Sequence, residues 1–492
     1  MSDELNVAIL LGAVVVLVGA FAVRFSSRLG LPSLLVYLAF GLALGESGLG
    51  IRFENAELTR HLGLGALILI IAEGGLASRW SAVRPAMPAA TVLATVGVLV
   101  SVGVLGVLVH VLLGFDWRLS LLYGAVLSST DAAAVFSTLR RLPLRPRLAA
   151  TLEAESGMND AIVVLLVVLL SATTHPFHWY TLPEAFVELA GGVAIGLAVG
   201  AGGGWALRRV ALPAVGLYPL AGVGLTVLAY AVGAIAHVSG FIAIYVAGIV
   251  LGNARLPHRQ SILGFADGLG WLAQIGLFVL LGLLASPAEL IHAVVPGLLV
   301  GAVLLFIARP ASVAVSVTPL RVPAREQAFL SWAGLRGAVP IVLATIPLSD
   351  ALPGASELFD VVFVVVVIFT IVQGTTLPPV ASWLRVTAAS QPTELRVEAA
   401  PLDRMNAELL EVDIPAGSQL NGVHLDELRL PVGANVTLVL RDGKGFVPDR
   451  QTRLRTHDAL LIVATQQVRD QAAKRIEEVS GAGTLARWLH KA

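Results

Sequence analysis

Glu153-Ala154-Glu155-Ser156-Gly157-Met158-Asn159-Asp160 is the stretch on which the reading of this chain turns. Three carboxylates and an amide fall within it, yet it runs straight into Ala161-Ile162-Val163-Val164-Leu165-Leu166-Val167-Val168. The helical spacing puts Ser156 and Asp160 on one face, and Glu155 and Asn159 on another. Glu153, seven residues before Asp160, shares the face of Asp160 about 10 Å away. A charge in hydrocarbon costs several kcal/mol, so ionisable groups inside an apolar span are functional candidates by default.

The surroundings are those of a membrane protein. Over 492 residues the chain is 56% hydrophobic and 13% charged, with mean hydropathy +0.83. Soluble domains carry about a quarter charged residues. That deficit excludes a soluble enzyme over most of the length, and it excludes disorder. The net charge of +0 implies no nucleic-acid surface, and the absence of cysteine removes disulfides, thiolate metal sites and thiol nucleophiles.

About thirteen apolar spans follow one another, centred near Val14, Ala39, Leu69, Leu99, Ser129, Val163, Ile195, Val227, Ala247, Phe278, Leu299, Ala338 and Val366. At about 1.5 Å per residue each is long enough for a core of about 30 Å, the ninth being short. The fold class expected is an all-α polytopic membrane protein with a small α/β domain after it. The first span follows Asp3 and Glu4 without a basic segment, unlike a cleaved signal peptide. Alternate loops hold the arginines: Arg24 and Arg28, Arg79 and Arg84, Arg140 to Arg147, Arg208 and Arg209, Arg255 and Arg259, Arg309 to Arg325, then Arg385. The opposite loops hold only Arg52, Arg60 and Arg118. This bias places the N-terminus outside and everything after Arg385 in the cytoplasm.

Leu38 to Gly45 in span two is echoed by Tyr245 to Gly252 in span nine, and Glu73-Gly74 by Leu281-Gly282 about 207 residues on. Copies seven spans apart cross in opposite directions, as in the inverted repeats of secondary transporters. Gly200 to Gly204 reads as a surface for close helix packing. Past residue 390 the composition turns polar. The expected divisions are a membrane domain at 1–388, a linker at 389–401, a small α/β domain at 402–482 and a tail at 483–492. Within the small domain, Leu409 to Ile414, Val436 to Leu440 and Ala459 to Val463 read as strands, and Gln467 to Val479 as a helix.

Depth estimates from the loop arginines put Asp131 about 13 Å, Asp160 about 20 Å and Arg336 about 16 Å into the membrane. Ser128-Ser129-Thr130-Asp131 offers oxygens for a dehydrated alkali cation, and unwinding there would add carbonyls. Gly334-Leu335-Arg336-Gly337-Ala338-Val339-Pro340 favours a second broken helix. Burial disfavours an ionised carboxylate and a bound cation favours it, so cation and proton exclude each other on Asp160. Arg336 is expected to neutralise Glu155 permanently. Glu73 and Glu153 are expected to line a vestibule.

Thr130-Asp131, Glu155 to Asp160, Gly334-Leu335-Arg336-Gly337 and Glu73-Gly74-Gly75-Leu76 resemble the monovalent cation:proton antiporter family, in the branch with an Asn-Asp pair in the sixth helix. The resemblance covers roughly residues 5 to 385. It implies an inverted-repeat homodimer in which Asp160 binds the ion with help from Thr130, Asp131 and Ser156. It also implies a polar cluster of Glu155, Asn159 and Arg336, and electroneutral exchange. One departure is Ala132, where the family often has proline. The tail, roughly 402 to 482, resembles the C-terminal half of regulators of potassium conductance. That likeness implies a small-molecule effector such as a nucleotide or cyclic dinucleotide, and no other cofactor. It tilts the expected cation from Na⁺ toward K⁺.

The function expected is therefore a K⁺/H⁺ antiporter of the bacterial cytoplasmic membrane, working by alternating access and regulated by its C-terminal domain. Abundant Ala, and Arg in place of Lys, suit a bacterium with a GC-rich genome. Na⁺/H⁺ exchange is the alternative. A ligand-gated cation channel and a non-transporting sensor are the more distant ones. Its partners would be K⁺ or Na⁺, protons, lipid and a second copy of itself, with no nucleic acid. No catalytic constellation for an enzyme is visible.

Overall fold

The computed structural model describes residues 2–482 except 30–32, 46–47, 49, 51–54, 140–143, 173–180, 389–396, 403–406, 416, 442–443 and 466. The expected tail and most of the expected linker thus lie outside the described residues. Two compact units, 1–387 and 388–492, make up the chain.

The first unit is helical. Its elements are α1 (Ser2–Leu29), α2 (Ser33–Leu44), α3 (Ala56–Ala77), α4 (Met87–Leu113), α5 (Trp117–Val126), α6 (Ala132–Thr138), α7 (Pro146–Ser171) and α8 (Thr181–Arg209). They continue with α9 (Leu217–Ile235), α10 (Gly240–Asn253), α11 (Arg259–Leu284), α12 (Pro287–Val317), α13 (Ala324–Trp332), α14 (Ala338–Ser349) and α15 (Ala355–Leu384). Among the described residues eight helices are long and apolar enough to cross a membrane. The fifth and twelfth expected spans are each two helices, α5 with α6 and α13 with α14, interrupted near Ser129 and Arg336.

The repeat is visible in the packing. Gly41 of α2 lies against Gly282 of α11, and Gly248 of α10 lies against Gly75 of α3. Each member of the first pair is 207 residues from its counterpart in the second, so one crossing is built twice. The counterpart of Gly282 is thus Gly75, one place beyond the Glu73-Gly74 alignment read from sequence. A Cβ on Gly75 would sit 2.8 Å from the Tyr245 carbonyl, so only glycine lets these backbones meet. Gly192, Gly196 and Gly200, one turn apart on α8, face α10 in the same way. α4 and α12 each contain a five-residue π-helical turn, Leu93–Gly97 and Leu304–Ala308.

The second unit is an antiparallel sheet of order β1-β2-β5-β3-β4, with β1 (Val397–Leu402), β2 (Ala407–Asp413), β3 (Ala434–Arg441), β4 (Lys444–Phe446) and β5 (Ala459–Thr465). Helix α16 (Arg469–Ala482) contributes Ala472, Ile476 and Val479 to a core with Leu410, Val412, Leu460 and Ile462. Strand β1 falls where a linker was expected. It pairs along the whole of its length with β2, and its Pro401 is tolerated because an edge strand has no outer neighbour to receive an N–H.

Candidate functional site

An interrupted helix leaves N–H and C=O groups without partners, and inside a membrane only protein can supply them. Here the two interruptions supply each other. Asp131 N–H donates to the Leu335 carbonyl at 2.8 Å. Arg336 donates through Nη1 to the Ser129 carbonyl at 2.6 Å and the Ser128 carbonyl at 3.3 Å. A Cβ on Gly337 would run into Asp131 Oδ2, so the second interruption must present glycine there. Asp131 also caps α6, its Oδ1 accepting from Ala134 N–H at 3.0 Å, where the helix dipole favours a carboxylate. These bonds hold the break open with Ala132, not proline, following Asp131.

Helix α7 closes the other side with its segment Glu153 to Asp160. Ser156 Oγ donates to the Thr130 carbonyl at 2.7 Å, and Asn159 Nδ2 to Thr130 Oγ1 at 2.7 Å. Ser129 Oγ donates to Asp160 Oδ1 at 2.5 Å. Thr130, Asn159 and Asp160 are all buried. Asp160, Asp131, Thr130 and Ser156 meet at the wall of one cavity of about 260 Å³.

The expected partnership of Glu155 with Arg336 is not what the structure shows. Glu155 receives both arms of Arg309, Nη1 to Oε1 at 2.6 Å and Nη2 to Oε2 at 3.0 Å, with the side chains 1% and 5% exposed. Arg309 therefore belongs inside α12 and not to a loop. It follows the π turn of α12, and Gly334 leaves room for it: a Cβ there would lie 3.0 Å from Arg309 Nε. The fork fills both oxygens of Glu155, and Arg336 instead serves the carbonyls freed in the α5–α6 break. A signal was present, since twelve residues separate Arg309 from Arg321, about 18 Å of helix.

Glu73 and Glu153 line the same cavity without joining the cluster at Asp160. Glu153 accepts from Ser78 Oγ at 2.9 Å. A second cavity of about 440 Å³ shares Glu73, Phe136 and Gln274 with the first and extends to the exposed Asp267. A string of carboxylates thus leads from the surface to Asp160. Among the described residues no group of three or more His, Asp or Glu is arranged to hold a metal ion. The oxygens gathered here are hydroxyls, a broken-helix carbonyl and the carboxylates of Asp131 and Asp160, a set that suits an alkali cation in transit.

Comparison with known proteins points the same way. The family described as sodium/hydrogen exchanger, transmembrane, matches residues 12–383, and the TrkA-C domain matches residues 409–477. The K(+)/H(+) antiporter NhaP of Alkalimonas amylolytica is 38% identical over 474 residues, covering 94% of this chain and 82% of that protein. NhaP2 of Shewanella oneidensis, also called a K(+)/H(+) antiporter, is 35% identical over 480 residues, with 95% and 82% covered. The Na(+)/H(+) antiporter NhaS2 of Synechocystis is 28% identical over 413 residues, with 79% and 72% covered. The structure of MjNhaP1 from Methanocaldococcus jannaschii superposes with a TM-score of 0.66 at 22% identity, over 77% of this chain and 99% of that one, and so shares the fold. An inverted repeat built on paired glycines, two crossed helix breaks and a buried Asn-Asp pair are thus found in a chain that belongs to the sodium/hydrogen exchanger family.

Proposed function

We propose that this chain exchanges K⁺ for H⁺, one for one, across the bacterial cytoplasmic membrane, with Asp160 holding either but never both. The observation that carries this reading is the position of Asp160. It is buried at the wall of a cavity lined with oxygen donors, and it accepts a hydrogen bond from the neutral hydroxyl of Ser129. A carboxylate so placed needs a positive partner, and the cavity can deliver a cation or a proton. The naming of the 34–38% identical relatives favours K⁺ over Na⁺. Na⁺/H⁺ exchange is the second reading, supported by the 28% identical cyanobacterial relative. With the arginine-rich loops in the cytoplasm, the cavity reaching Asp267 faces inward and the N-terminus lies outside. The chain works as a homodimer, and its C-terminal domain senses a small cytoplasmic effector.

The test is a cation series on purified protein in liposomes, with internal pH followed by a dye. Addition of K⁺ should drive H⁺ movement that neither valinomycin nor a protonophore is needed to sustain. A response to Na⁺ alone would move the assignment to the second reading. Conductive cation flux independent of protons would replace the exchanger by a channel.

A further inference from the structure

The chain leaves the membrane unit through a clasp. After α15, Arg385 adopts a left-handed conformation (φ 57°) and Val386 turns back into the core, 1% exposed. Thr387 then forms an antiparallel bridge with Leu144, and Arg145 N–H donates to the Val386 carbonyl at 3.1 Å. The Arg145 side chain completes the clasp. Its Nη2 donates to the Arg385 carbonyl at 3.1 Å, and its Nη1 donates to Glu326 Oε1 at 3.1 Å. Arg145 immediately precedes α7, its carbonyl accepting from Leu148 and Ala149 N–H, and Glu326 lies in the first turn of α13. One arginine therefore ties together the start of the helix carrying Asp160, the start of the broken span carrying Arg336, and the last residues before the chain continues toward the TrkA-C domain.

An ion pair this exposed contributes little to stability, with Arg145 at 51% and Glu326 at 17%. Its placement is what makes it useful. α7 is one continuous helix from Pro146 to Ser171, so its first turn and Asp160 belong to one element. We propose that Arg145 is the positioning residue through which the C-terminal domain acts on the ion site, passing a shift of the chain at Thr387 to α7 and α13. The proposal rests on the exchange reading above and adds the route by which that exchange is regulated.

The test keeps the full chain. Four proteins are reconstituted: the natural one, one with a flexible insert of about eight Gly and Ser residues after Thr387, Arg145→Ala, and both changes together. The half-saturating cation concentration and the pH profile of exchange are measured for each. The insert should shift the half-saturating concentration by about fivefold. Arg145→Ala should give the same shift, and the combination should add nothing to either. Glu326→Gln, which leaves the backbone bonds in place, should give part of the shift and stands in if Arg145→Ala does not fold. Shifts that multiply in the combined protein would overturn the proposal, as would an Arg145→Ala chain that behaves as the natural one while the insert does not. Ordinary exchange with one half-saturating concentration in all four would overturn the clasp alone. A natural chain that exchanges nothing would overturn the exchange reading and the clasp with it.

Discussion

Two carboxylates on α7, five residues apart, have opposite surroundings. Five residues are about 140° of helical turn, so Glu155 and Asp160 look in different directions. Glu155 looks at α12 and is gripped by both arms of Arg309. Asp160 looks at the cavity and receives a hydroxyl from Ser129. The first charge is balanced at all times, so neither a cation nor a proton has anything to gain there. The second, under the proposed exchange, is balanced by whatever the cavity brings. On the exchange proposed above, a single helix thus holds a fixed ion pair and an exchangeable site, and about 1.4 turns of spacing point them in different directions.

The comparison breaks most visibly at Asp160. Asp160→Asn keeps shape and hydrogen bonding but removes the exchangeable charge. Exchange should fall to the level of empty vesicles while melting temperature and yield stay unchanged. Normal exchange by this variant would end the argument that Asp160 differs from Glu155. Next in size is the fixed pair. Removing one member of a buried pair costs about 3–5 kcal/mol, whereas replacing both with apolar groups is often neutral. Glu155→Met and Arg309→Met should each lower thermal stability in detergent sharply, and the double variant should regain most of it. If Glu155→Met instead kept its stability and changed cation preference, Glu155 would belong with Asp160. Arg336→Ala comes third. It removes charged hydrogen bonds to the carbonyls of Ser128 and Ser129, worth about 1.5–3 kcal/mol. Stability and exchange should fall together, and a stable variant altered only in ion preference would place Arg336 among the ion ligands.

How far the sequence carried this comparison depends on the residue. The span order and the two breaks were legible because hydrophobic length and the clusters Ser128 to Asp131 and Gly334 to Gly337 are local signals. The glycine crossings were legible as a repeat, although only the structure shows that Gly75, not Gly74, is the counterpart of Gly282. Arg309 was hidden by its neighbours: it stands before Pro310 and groups along the chain with the loop arginines Arg321 and Arg325, although about 18 Å of helix separates it from Arg321. The partner of Glu155 was then assigned to the other buried arginine. Pairing across helices depends on the π turn before Arg309 and the space left by Gly334, and neither has a signature in a single chain. Strand β1 was missed because Val397 to Leu402 is short, contains proline and pairs only through its partner β2.

A third carboxylate, outside the membrane, sharpens the comparison with the smallest effect. Asp458 in the C-terminal domain is held as Glu155 is, by a fork: Arg441 Nε to Oδ1 at 2.8 Å and Nη2 to Oδ2 at 2.7 Å, with Arg455 N–H also on Oδ2 at 2.8 Å. Burial alone would push this carboxyl up, but the Arg441 fork, the Arg455 amide and the charges of both arginines outweigh it and hold it below its ordinary value of 3.8. A depressed value in the folded state means that the stabilisation is complete above the ordinary value and is lost as pH falls through the folded one. Arg441→Met should therefore destabilise a fragment spanning residues 397–482 at pH 7 by about 1–2 kcal/mol. The gap from the natural fragment should narrow as pH falls below about 4, because acid takes from the natural domain what the variant never had. Arg441 also donates to the Arg453 carbonyl at 2.9 Å and lies over the Phe446 ring, contacts that do not titrate. A gap that stays constant into acid would assign the role of Arg441 to those contacts, and Asp458 would no longer stand beside Glu155 as a carboxylate held by its fork.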